Sequence, residues 1–134
     1  MSTRSGFLFA AAAMAALAIS TPALATQPTT HTGGGCFLAT EWQAWKSPSP
    51  DVIYVLVGTH DVYRFDLSSG SNQLNEPDVH LSSQVRGSDW ICSPLDLQLD
   101  VVSTGGIFRE PLIVKSITKL TPEEIAAIPP KYRP

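Results

Sequence analysis

Cys36 and Cys92 are the two cysteines of this chain, and the chemistry their type offers is a cross-link rather than a reaction. In an oxidising compartment such a pair bridges, whereas in a reducing one it stays as two thiols. On the residues alone both readings stand. A bridge across so long a loop would restrict the unfolded chain by about 4 kcal/mol in the loop-entropy account. Lipid attachment at Cys36 fits poorly, because Gly33-Gly34-Gly35 precedes it instead of the leucine-and-small-residue pattern of a lipoprotein site.

The remaining reactive types are scattered. His31, His60 and His80 show neither paired i, i+4 spacing nor a C-x-x-C companion, so they read as three separate solvated histidines. Asp96 and Asp100 fall on one face of an expected strand, about 13 Å apart at the backbone, which is wide for a glycosidase carboxylate pair. They read as a solvated sheet face, with Lys115 or Lys119 on the adjoining strand. His60-Asp61 with any serine lacks a Gly-x-Ser-x-Gly elbow, and a triad is defined by geometry rather than composition. Gly33-Gly34-Gly35 opens no strand-helix unit that could cradle phosphate. No catalytic residue, metal or cofactor is therefore assigned.

Large aromatics remain. Trp90 directly precedes Ile91-Cys92 and is expected to pack over a bridge there. Trp42 and Trp45 are expected to divide between core and surface, giving a candidate binding surface. Leu74, the apolar residue of the Ser68–Pro77 loop, is the third candidate contact.

The elements that would position these residues begin with an export signal over residues 1–25. Arg4 supplies a positive start, Phe7 to Ile19 an apolar run, and Ala23-Leu24-Ala25 the small-x-small cleavage pattern. The run is too short for a stable bilayer anchor. The mature chain is thus expected to start at Thr26, in the periplasm or secreted, which favours the bridge. Residues 26–35 read as a flexible polar leader and 36–134 as a single domain. The net charge of −3 is spread thinly, with no clustered basic surface, which excludes nucleic acid as a partner.

Period-two patterning dominates the domain. Val52 to Val57 is β-branched and apolar on both faces, and Val62 to Leu67 alternates strictly after the Gly58–Asp61 turn. Phe37 to Trp45 fits a first strand or one helical turn, and Pro48 and Pro50 are expected to force a turn. Val79 to Val85 alternates, with His80, Ser82 and Gln84 outward. Trp90 to Val102 reads as one long strand with Leu95, Leu97, Leu99 and Val101 inward. Leu112 to Leu120 is the last strand, its alternation slipping near Lys115-Ser116 as at a bulge. Thr121-Pro122-Glu123-Glu124 is a capping box opening a short helix that Pro129-Pro130 ends. The fold expected is all-β: a small antiparallel barrel of five or six strands with a short C-terminal helix.

Cys36-Phe37, Trp42 to Trp45, VYRFDL at 62–67, VRGSDWICSPLDL at 85–97 and IVKSITKLTPEEIAAIPPKYRP at 113–134 follow in that order. Together they resemble an uncharacterised family of small exported bacterial proteins, a domain-of-unknown-function family, across essentially the whole mature chain. WICSPLD and LTPEE-x-AAIP-x-K-x-RP are the most specific pieces. The resemblance implies a Gram-negative periplasmic or secreted protein with an OB-like barrel, and it carries over no catalytic residue. Members tend to have further cysteines near the Ser68–Asn72 loop and near Leu112, both lacking here. Loss of one bridge would leave Cys36 and Cys92 as partners. The functional expectation is a non-enzymatic, monomeric binding module of the cell envelope whose partner is an envelope protein or a small ligand. A secreted inhibitor acting through the Ser68–Pro77 loop, and a small hydrolase using Asp96 and Asp100, are the alternatives.

Overall fold

Alternation of apolar residues builds the core from its centre outward. Strands β3 (Val52–Val57) and β4 (Asp61–Ser69) form a hairpin in which Ile53 opposes Phe65 and Val55 opposes Tyr63. All four are buried on one face, the arrangement in which cross-strand pairs stabilise a sheet most. Gly58 makes the turn at φ 60°, in the left-handed region that glycine enters without steric penalty. The computed structural model describes residues 35–134. The expected export signal of residues 1–25, the expected leader up to residue 34 and His31 lie outside the described residues.

Around the hairpin runs a six-stranded antiparallel sheet. Its order is β2 (Trp42–Ser49), β3, β4, β8 (Arg109–Lys119), β7 (Leu97–Ser103) and β5 (Val79–Val85). β8 serves both halves. Arg109 to Leu112 pair with β7, and Ile113 to Lys119 pair with β4. Past the change-over Asp66 faces Ser116 while Leu67 faces Val114, so Lys115 has no opposite residue. This is the bulge expected near Lys115-Ser116. It bends the strand and helps curl the sheet into a half-barrel around Phe65, Ile53, Leu99, Val101 and Ile117. The all-β expectation holds, but the sheet ends in two strands that do not pair with each other, β2 and β5.

A second, two-stranded sheet pairs β1 (Phe37–Leu38) with β6 (Trp90–Ile91) and inserts Phe37 and Ile91 into the core. The Phe37 ring lies 4.6 Å from that of Tyr63, whose hydroxyl donates to Gly35 O. Burial pushes the Tyr63 hydroxyl up from its ordinary pKa. Cys36 and Cys92 continue the β1–β6 register as directly opposite residues and are bonded, with Sγ atoms 2.04 Å apart. The bridge, and not the pair of free thiols, is what forms. The helix α1 (Pro122–Ala127) opens on the expected box: Thr121 N donates to Glu124 Oε2 at 2.8 Å, and Glu124 N donates to Thr121 Oγ1 at 3.3 Å.

Four expectations are corrected. Phe37 to Trp45 is neither one strand nor one helix, because a 3₁₀ turn at Ala39–Glu41 separates β1 from β2. Pro48 lies inside β2, which tolerates it because β2 is an edge strand with a register shift between Lys46 and Ser49. Ser68 to Pro77 is not a bare loop: β4 runs to Ser69, and a 3₁₀ turn at Asn72–Asn75 follows. Between them Gly70 passes so close to the β2–β3 turn that a Cβ there would sit 1.8 Å from Pro50 O. Trp90 to Val102 is two strands, not one. Pro94 starts a 3₁₀ turn at Pro94–Asp96 that breaks the ladder, and Leu95, expected inward, is 82% exposed.

Candidate functional site

The gap between the two sheet edges is filled from below and roofed from the side. Ser71 sets the floor. Its hydroxyl accepts from Gln73 N at 3.1 Å and donates to the Glu110 carboxylate, which fixes the Asn72–Asn75 turn. That turn drives Leu74 into the core, leaving it 4% exposed. The roof is the chain end. After α1, Pro129-Pro130 turns the backbone into a 3₁₀ turn at Pro130–Tyr132. Arg133 Nη2 then donates to Ala126 O at 3.0 Å and to Ile128 O at 2.9 Å. These bonds satisfy carbonyls left open at a helix end and clip the tail against it. They place Lys131 and Tyr132 beside β2.

The result is an open cleft of about 440 Å³ lined by Trp45, Lys46, Leu74, Glu76, Lys131 and Tyr132, among others. Two cationic side chains and one carboxylate share its walls with two aromatic rings. Lys131 Nζ sits 4.4 Å from the Tyr132 ring centroid, within cation–π range. Ser47, also at the cleft, is buried and donates to Ser49 O at 2.6 Å and Val52 O at 2.9 Å, so its hydroxyl serves the strand. The chemistry available is recognition by stacking and charge.

Of the three candidate contacts, the structure brings Trp45 and Leu74 together here. Leu74 corrects its expected role: a residue buried in the floor cannot be the exposed anchor of a protruding loop. Trp42 does not line this cleft; it packs edge-on against Phe65 with centroids 5.6 Å apart. Trp90 belongs to a two-residue strand paired with Leu38, on the strand face that also carries Cys92 of the bridge, and 49% of its surface faces solvent. Lys131 and Tyr132 were not singled out from sequence, although Pro129-Pro130 followed by Arg133 is the signal that the tail turns back.

Asp96 and Asp100 do not form a shared face. Asp96 lies in the Pro94–Asp96 turn, where its Oδ2 accepts from Cys92 N at 3.0 Å and Ser93 N at 2.8 Å. Those backbone donors, Cys92 first, hold its carboxyl below the ordinary 3.8. Asp100, expected outward and solvated, is 3% exposed and pairs with Arg109 at 3.2 Å. The expected lysine partners do not serve it; Lys119 pairs with Asp61 at 2.6 Å. His60 and His80 stand exposed on the β3–β4 turn and on β5. Among the described residues no group of three or more His, Cys, Asp or Glu is placed to hold a metal ion, and no helix is long and apolar enough to cross a membrane.

No family model, curated protein or solved structure matches the chain. The two most specific segments nonetheless have clear structural work. WICSPLD is the bridged β6 strand with its Asp96-capped turn, and the C-terminal segment is the capped helix with its clipped tail.

Proposed function

We propose that this chain is an exported, non-enzymatic binding module of the bacterial envelope that takes a small polar ligand bearing an acidic group in the seam cleft. The observation that carries this reading is the convergence of Trp45 and Tyr132 with Lys46 and Lys131 over the floor made by Leu74. Aromatic faces accept the apolar side of a polar ligand, and paired cations orient its charge. The export pattern of residues 1–25 and the Cys36–Cys92 bridge support an extracytoplasmic setting, since bridges persist where thiols are oxidised. The inhibitor alternative loses its anchor with the burial of Leu74. The hydrolase alternative loses its pair, because Asp96 is engaged by a turn and Asp100 by Arg109.

Titration of the purified, oxidised chain with soluble muropeptides and acidic cell-wall saccharides, followed by tryptophan fluorescence, tests the reading. A saturable change is expected, weakened about tenfold by Lys131→Gln through loss of a charge-assisted contact. No response to any of these compounds, or a response that Trp45→Phe and Lys131→Gln leave untouched, would remove it. Amino-terminal sequencing of periplasmic material should return Thr26; an intact Met1 would remove the export claim.

A further inference from the structure

The two edges of the sheet differ in how they are defended. β2 carries Lys46, Pro48 and two register shifts, features that discourage a further strand. β5 carries none of these. Its sequence, VHLSSQV, has no proline, lysine or carboxylate, and its seven residues pair with β7 without a shift. Among the described elements, β5 packs substantially only against β7.

Which backbone groups β5 leaves open follows from its flanks. Thr104 N donates to Asp78 O at 2.7 Å, and Arg86 N donates to Asp96 O at 2.8 Å. Both continue the β5–β7 register, in which Val79 opposes Ser103 and Val85 opposes Leu97. Bonded and non-bonded rungs alternate in an antiparallel ladder. The rungs bonded to β7 are therefore those of Asp78, His80, Ser82, Gln84 and Arg86. Val79, Leu81, Ser83 and Val85 turn their N–H and C=O groups to the open side.

We propose that β5 is a self-association edge, on which a second copy of this chain pairs its own β5 antiparallel about a two-fold axis through Ser82. In that register Val79 opposes Val85 of the second copy and Leu81 opposes Ser83, so all four open residues of each strand fall on hydrogen-bonded rungs. A slip by one residue would set open groups against groups already bonded to β7. The charges select the same register. Asp78 and Arg86 are exposed at opposite ends of β5, and the axis at Ser82 places each opposite its counterion in the second copy, twice over. Moving the axis to His80 or Gln84 loses both pairs. The inner face would join the half-buried Val79 and Val85 of each copy across the junction, while the outer face would meet through His80, Ser82 and Gln84, all polar. This is an isologous interface, each residue of the patch serving both sides. It departs from the monomer expected from sequence and does not depend on the cleft reading.

Sedimentation equilibrium on the purified, oxidised chain, from roughly micromolar to millimolar concentration, reads the association directly. A reversible monomer–dimer equilibrium is expected. Ser83→Pro removes an outward N–H while leaving the β7 ladder its donors, and should abolish the dimer. Asp78→Arg and Arg86→Asp, each creating two like-charge pairs, should singly weaken association about tenfold. The double variant Asp78→Arg/Arg86→Asp should restore it. The charge variants replace exposed residues, so they test the proposal even where the proline variant fails to fold by circular dichroism. A chain that stays monomeric throughout, a dimer indifferent to a folded Ser83→Pro, or a double variant no better than the singles would overturn the proposal.

Discussion

The β3–β4 hairpin and the stretch from β5 to β7 both line one concave core, and they reach it by different means. In the hairpin the register runs from Val52–Asp66 to Val57–Asp61 without a shift, and every second residue of β3 is buried. Between β5 and β7 the chain leaves the sheet, turns at residues 86–89, lends two residues to β6, bends at Pro94–Asp96 and only then returns. That detour exposes Trp90 and Leu95. Continuous alternation lets burial alone hold a strand pair. A broken path needs point fastenings: a covalent bridge, a carboxylate cap and an ion pair from a buried carboxylate to an exposed arginine.

The largest effect should come from the hairpin. Phe65 is fully buried, opposes Ile53 and packs against Trp42. Phe65→Ala removes its contacts and leaves a cavity, with an expected cost of about 4 kcal/mol. Chemical denaturation of the oxidised protein measures it. A loss below about 1 kcal/mol would mean that the hairpin is not the centre of the core.

Next comes the bridge. Cys92→Ser should cost about 3 kcal/mol: cross-linking positions 56 residues apart restricts the unfolded chain, by less than the loop-entropy figure because that chain is already partly compact. The comparison sharpens when amide exchange is followed in that variant. Protection should fall in β1, β6 and the Pro94–Asp96 turn while β3 and β4 stay protected, because opening is local where contacts are few. Uniform loss of protection would erase the distinction between the two regions.

The same distinction governs what could be read from the sequence. The hairpin, the bulge at Lys115 and the capped helix were legible because each is a local pattern: period two, a slip in that period, and a four-residue box. Leu95 was misread because its period continues that of Leu97 and Leu99, and periodicity does not show that Pro94 has already ended the ladder. Asp100 was misread for a related reason. Its outward face is real, but Arg109 from the neighbouring strand covers it, and strand order is not a local property. Leu74 and the tail residues Lys131 and Tyr132 meet only because the sheet stays open between β2 and β5. Of that cleft the sequence offered Trp45 and Leu74 as separate residues and no hint of their neighbourhood.

The smallest effect tests the cap that replaces the missing ladder. Asp96 Oδ2 takes the Cys92 and Ser93 amides together, and the Ser93 hydroxyl lies 3.2 Å away. Ionised Asp96 is favoured in the fold, so the folded state binds its proton less readily than the unfolded chain does. Its contribution is complete above the ordinary value of 3.8 and is lost as pH falls through the lower folded value. Asp96→Asn keeps an acceptor but gives up the charge. Denaturation midpoints of the two proteins should therefore differ at neutral pH and begin to converge as pH falls below 3.8, meeting once it has passed the lower folded value. A gap that stays constant through that range would mean the carboxylate acts by shape alone, and the turn after the bridge would then be held by Pro94 and the disulfide without help from charge.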